Sequence, residues 1–268
     1  MNAERFDLML FSTDVPFIRE AVEAGVDGII VDWEQRGKPV RQASADTEIN
    51  YDTPEDLCRV RQATTARVIC RINGVCETTK EEIEIAIGEG ADEILLPMVR
   101  AAREVEAVLD LVDGRCGVGI LVETVTAVAR ASSFAALPLS RVYVGLNDLA
   151  IERRTQNLFA AVADGTVACV RDAVTVPFGF GGLTLPERGH PIPCRLLMGE
   201  MTRLGCRFSF LRRSFRRDSR GRPLAEIVAR IRSGLARSRE RSDATVACDR
   251  EALRRAVENW DLARAAAG

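Results

Sequence analysis

Residues 89–123 read EGADEILLPMVRAAREVEAVLDLVDGRCGVGILVE, and this stretch decides the fold. Two near-continuous apolar runs, Glu93–Pro97 and Gly117–Glu123, bracket a segment of different rhythm. In that segment Val105, Val108, Leu109 and Val112 fall at i, i+3, i+4 and i+7, a single helical stripe. The flanking runs have the length and Val/Ile/Leu content of parallel strands buried on both faces. Gly90-Ala91-Asp92 stops a preceding helix and leads straight into the first run.

The same unit recurs along the chain. Further runs lie at Phe6–Phe11, Gly28–Asp32, Arg67–Ile72, Arg141–Gly145, Val176–Gly181 and Arg207–Leu211, eight in all. Gly25-Val26-Asp27 repeats the helix stop before the second run. Pro54-Glu55-Asp56 and Thr78-Thr79-Lys80-Glu81-Glu82 read as helix starts. Strict alternation implies a parallel sheet, and eight repeats imply closure into a TIM-type (β/α)8 barrel. An open doubly wound sheet is the rival, but no Gly-x-Gly-x-x-Gly follows the first run. The expectation is one barrel domain over residues 1–268. Residues 249–267, with Leu253, Val257 and Trp260 at helical spacing, form an added C-terminal helix that docks on its own barrel or on a neighbouring subunit.

Composition narrows the function classes. The chain has 268 residues, is 47% hydrophobic and has a formal net charge of -2, so no global field favours nucleic acid or an anionic membrane. No signal-type or membrane-spanning apolar stretch is visible, and a cytoplasmic location is expected. The eight cysteines include no C-x-x-C pair, and are expected to be buried, reduced thiols.

In a barrel, the C-terminal ends of the strands converge on one pocket. Those ends supply Asp32 and Glu34 after strand 2, Arg71 and Asn73 on strand 3, Glu123 on strand 5 and Asp148 after strand 6. Four carboxylates at one mouth repel one another, so a bound cation or protonation must offset them. Oxygen-only ligands point to Mg2+ or Mn2+ rather than zinc. Each residue also has a plainer use: Asp148 as a helix cap, Glu34 as a surface partner of Arg36, Arg71 as a salt-bridged packing residue. Two long connections, 33–53 and 182–193, fall on the same face.

Taken in order, Val31-Asp32-Trp33-Glu34, Arg71-Ile72-Asn73, Glu93-Ile94-Leu95-Leu96-Pro97-Met98-Val99, Val122-Glu123-Thr124 and Gly145-Leu146-Asn147-Asp148-Leu149 resemble a known family. The chain is similar, over roughly residues 20–150, to the HpcH/HpaI-type 4-hydroxy-2-oxo-acid aldolases and the citrate lyase β subunits. The resemblance implies Mg2+ or Mn2+ held by Glu123 and Asp148, with Arg71 on the oxo-acid part of the substrate. It implies a lyase working through a pyruvate enolate, on a small oxo acid that could be phosphorylated or linked to coenzyme A, and a homo-oligomer. An acyl-CoA thioester lyase and a non-catalytic barrel are the alternatives.

The chain has only two lysines, and a Schiff-base aldolase needs one on a strand facing the pocket. Lys80 falls in a helix and Lys38 in a loop, which favours the metal route. One departure is serious. In the aldolases a histidine follows the strand 2 glutamate and moves the hydroxyl proton; here Gln35 stands in that place, beside the substrate. The sole histidine, His190, lies in the loop after strand 7 and could serve as the base, as could a metal-bound hydroxide. Arg212 and Arg213, at the head of an arginine run after strand 8, are expected to hold an anionic group of the substrate.

Overall fold

The computed structural model describes residues 5–38 and 50–266. Eight strands appear where the apolar runs stand: β1 Asp7–Phe11, β2 Gly28–Asp32, β3 Arg67–Arg71, β4 Glu93–Leu96, β5 Gly117–Val122, β6 Arg141–Val144, β7 Phe178–Phe180 and β8 Phe208–Phe210. All pair in parallel in the order β7-β6-β5-β4-β3-β2-β1-β8. The ends of this sheet meet in a nearly closed barrel. The Arg207 N–H donates to the Phe178 carbonyl at 2.9 Å, and Leu183 bridges Leu211. The closing seam is tight, because a Cβ on Gly179 would lie 2.3 Å from the Phe208 carbonyl oxygen.

Alternation along the strands splits the interior into two layers. Met9, Ile30, Ile69, Leu95, Leu121, Tyr143, Phe208 and Phe210 fill the barrel itself. Their strand neighbours, such as Ile29 and Val31 or Ile120 and Val122, belong to the larger core between sheet and helices. That period of two inside a near-continuous apolar run is what two-sided burial demands.

The helices α1 Val15–Glu23, α2 Pro54–Ala63, α3 Thr79–Gly88, α4 Ala102–Val112 and α5 Val125–Ala129 follow β1 to β5 in turn. Beyond β6 lie α6 Leu146–Glu152, α7 Ala160–Ala163 and α8 Thr166–Ala173; beyond β7, α9 Cys194–Arg203; beyond β8, α10 Phe215–Asp218 and α11 Leu224–Arg239. Thr53 caps α2 reciprocally with Asp56, with Pro54 in the first turn. The β4–α4–β5 unit matches its sequence reading, with Val105, Val108 and Val112 buried.

The final helix, α12 Asp243–Ala265, starts six residues earlier than residue 249, because Ser242 accepts a hydrogen bond from the Thr245 N–H and caps it. It packs against α9 and α7 of its own barrel, burying Leu253 and Val257, while Asn157 Nδ2 donates to the Val257 carbonyl at 3.3 Å. Among the described residues no helix is long and apolar enough to cross a membrane. The cysteines are all free, but the expectation that they are buried holds only for Cys70, Cys194 and Cys206; Cys169 and Cys248 are exposed on helices.

Candidate active site

The register of β2 against β3 builds the first half of the site. Asp32 and Arg71 are direct cross-strand partners, so their side chains leave the sheet side by side. Arg71 forks onto Asp32, Nε to Oδ1 at 2.8 Å and Nη2 to Oδ2 at 2.6 Å, and its guanidinium lies 4.9 Å from the centre of the Phe11 ring. Burial opposes ionisation of Asp32, but the charges and hydrogen bonds of Arg71 and Lys38 outweigh it and hold the carboxyl below its usual range. Burial likewise works against the Arg71 cation, and Asp32 with Glu34 more than offsets it.

The chain then turns back on this pair. The Glu34 N–H donates to Asp32 Oδ1 at 3.1 Å, and Glu34 Oε2 lies 3.4 Å from Arg71 Nη1. Asn50 Nδ2 donates to Asp32 Oδ2 at 3.0 Å, and Asp52 Oδ2 accepts from the Asp32 N–H at 2.9 Å. Both described ends of the long connection therefore converge on Asp32; residues 39–49 lie outside the described residues. Asn73 takes a supporting position. Its side-chain oxygen accepts from the Gln35 and Arg36 N–H groups at 3.0 and 2.9 Å, and its amide nitrogen donates to Glu82 Oε1 at 3.0 Å. Gln35 is thus fixed through its backbone, with a half-buried side chain.

The second half comes from β5 and β6. Glu123, directly after β5, is 2% exposed, and its Oε1 accepts from the Met98 N–H at 2.9 Å. Met98 adopts a left-handed φ of 55°, which aims that N–H at the carboxylate. Thr124 locks the backbone that follows, donating to the Val99 carbonyl and accepting from the Ala127 N–H. Asp148 is buried in the first turn of α6, where Gly145 occupies the capping position; Asp148 is therefore not the cap. Burial pushes the Glu123 carboxyl well above its ordinary value, and the charges of Asp148 and Glu34 push it the same way. Beneath lies Tyr143, stacked on Phe210 at 3.7 Å, its hydroxyl raised by burial.

The structure thus gathers Asp32, Glu34, Arg71, Glu123 and Asp148 at one mouth. It also adds a residue that was set aside as a loop lysine. Lys38 is 3% exposed, with Nζ 3.0 Å from Asp32 Oδ2 and 3.5 Å from Glu34 Oε2. Periodicity cannot place a loop side chain. The available signal was the spacing of Glu34 and Lys38, four residues apart beside a strand-end aspartate. Lys80, by contrast, is exposed on α3.

The remaining expected site residues lie in the loops after β7 and β8. His190 is exposed, its ring edge-on to Trp260 of α12 at 4.9 Å, and its carbonyl accepts from Arg212 Nη2 at 3.3 Å. The run after β8 is dispersed onto local partners: Arg216 pairs with Asp14, and Arg222 lies 3.7 Å from Glu187. Arg213 is exposed and Arg212 half-buried.

Among the described residues no group of three or more His, Cys, Asp or Glu is arranged to hold a metal ion, so Glu123 and Asp148 offer a pair of carboxylates and not a closed cage. No protein-family model matches the chain, and no curated protein matches it.

Proposed function

We propose that this barrel is a divalent-metal-dependent carbon–carbon lyase that cleaves or forms a 4-hydroxy-2-oxo acid through a pyruvate enolate. The observation that carries this reading is Glu123. It is a carboxyl almost wholly removed from water, with Asp148 and Glu34 adding negative charge beside it and Arg71 the nearby cation. An arrangement so costly for the ionised form is relieved by protonation or by a cation at that spot, and the lyase reading takes the cation. The residues fit one. Oxygen donors suit Mg2+ or Mn2+, and the missing side chain at Gly145 lets the Glu123 carboxylate take its position, since a Cβ there would stand 2.2 Å from Oε2.

Glu123 and Asp148 would hold the ion, and two protein ligands leave the remaining positions for substrate oxygens and water. When bound, the ion supplies Lewis-acid stabilisation of the negative charge that develops on the oxo-acid oxygens. The residues of the chain do the rest. Arg71, fixed by Asp32 and still 13% exposed, presents its guanidinium to the substrate carboxylate and the growing enolate charge without reorganising. The inner apolar layer beneath keeps water from the far side of the pocket.

The test is turnover with pyruvate and a panel of aldehydes in the presence of Mn2+ or Mg2+. Pyruvate consumption that stops on adding EDTA and returns with metal is expected. No metal-dependent consumption with any aldehyde, and no cleavage of any 4-hydroxy-2-oxo acid, would refute the reading.

A further inference from the structure

The lyase chemistry needs a group that takes the proton of the substrate's C4 hydroxyl. Glutamine cannot titrate, and Gln35 is held by its backbone to Asn73. His190 packs on Trp260 of the C-terminal helix. Asp32 is saturated by Arg71, Lys38, Asn50 and the Glu34 N–H.

Two cations stand at the same mouth. Arg71 and Lys38 share the same two carboxylate oxygens, Asp32 Oδ2 and Glu34 Oε2. The two cations and two carboxylates form one buried, charge-balanced quartet. Its two cations differ chemically. A guanidinium does not give up a proton in a protein, whereas an ammonium can. Burying a lysine is also expensive, and the only other lysine of the chain lies in solvent on α3.

We infer that Lys38, working with Glu34, is the proton-transfer group for the hydroxyl side of the reaction, standing in for the histidine that Gln35 replaces. The inference rests on the lyase reading above. In cleavage, Glu34 accepts one Nζ proton and the freed lone pair of Lys38 takes the proton from the C4 hydroxyl. The C3–C4 bond breaks, and its electron pair passes into the C2 carbonyl, giving the aldehyde and the pyruvate enolate. A water molecule then protonates C3, and the hydroxide it leaves takes the proton from Glu34, which restores the starting pair.

Oxaloacetate separates the two halves of the chemistry. Its decarboxylation breaks a C–C bond to give the same enolate and carbon dioxide, yet no hydroxyl proton has to leave. The Lys38→Met and Lys38→Arg variants, each with Mn2+, are compared with the parent on a 4-hydroxy-2-oxo acid and on oxaloacetate. Expected for both is a loss of aldol cleavage of about 10²–10⁴-fold, the usual size of a general acid–base contribution. Decarboxylation, which needs no hydroxyl proton to leave, should fall far less, so that the ratio of cleavage to decarboxylation drops at least about tenfold in both variants.

Rescue of cleavage by Lys38→Arg would reduce Lys38 to a structural counter-charge and overturn the inference. Parallel loss of both reactions, or undiminished cleavage by Lys38→Met, would overturn it too. A parent that performs neither reaction would bring down the lyase reading itself, and is recognised by needing no variant.

Discussion

Glu123 and Asp32 are both buried carboxyls at strand ends, yet their surroundings push them in opposite directions. Asp32 has two cations within hydrogen-bond reach and is held ionised; Glu123 faces burial and two like charges and is held toward its protonated form. The consequence for stability has a definite sign. Between the ordinary glutamate value of 4.5 and the raised value in the fold, the native state binds more protons than the unfolded chain. Without metal, stability therefore falls as pH rises through that window, by about 1.4 kcal/mol for each unit separating the two values. Glu123→Gln removes this term. In EDTA it should raise the melting temperature near neutral pH while leaving it nearly unchanged near pH 5, in a thermal-melt series. A variant no more stable than the parent at neutral pH would mean that the charge on Glu123 is not penalised. Asp32, Arg71 and Glu123 were legible in the sequence because a strand end fixes where a side chain points, and Asp148 because the helix after β6 starts at once. Lys38 was not, because nothing periodic governs a loop's path.

At the scale of elements, the alternation of apolar runs with helical stripes placed all eight strands. Their edges moved where side-chain chemistry intervened. The seventh run begins at Val176, but β7 starts only at Phe178, since Pro177 has no N–H to give a ladder and serves the sheet through its carbonyl, which accepts from Val142. The C-terminal helix was visible from Leu253 and Val257, whereas its true start depended on the Ser242 cap. The junction of β6 and α6 carries a prediction of its own. Gly145 has an ordinary φ of −81°, so alanine is tolerated by the backbone, but its Cβ would meet Glu123 Oε2. Gly145→Ala should leave the circular dichroism spectrum intact and weaken Mn2+ binding about 10–100-fold, the range seen when a metal ligand loses its support. Unchanged affinity would show that Glu123 is free to shift or is not a ligand.

Seen whole, the barrel carries charge at both ends and apolar side chains between. At the N-terminal end Arg141 forks onto Glu93 at 2.6 and 2.9 Å, both buried, in space kept open by Gly119. That pair is complete, a plug that neutralises itself. At the other end the quartet of Asp32, Glu34, Arg71 and Lys38 is balanced, and Glu123 and Asp148 lie beside it. That end is the proposed functional one, in keeping with the usual polarity of this architecture. The barrel itself was legible because two-sided burial writes itself into every strand. The arrangement of the loops after β7 and β8 was not, because no periodicity fixes a loop's path; Arg216 and Arg222 there turn to partners within the fold.

The central claim, a metal held by Glu123 and Asp148, is tested most directly by titrating Mn2+ into the intact protein and following free Mn2+ by electron paramagnetic resonance. The parent should bind one ion per chain, more tightly when pyruvate is present, and Glu123→Ala should bind it far more weakly. Glu123→Ala holding Mn2+ as tightly as the parent would contradict the site.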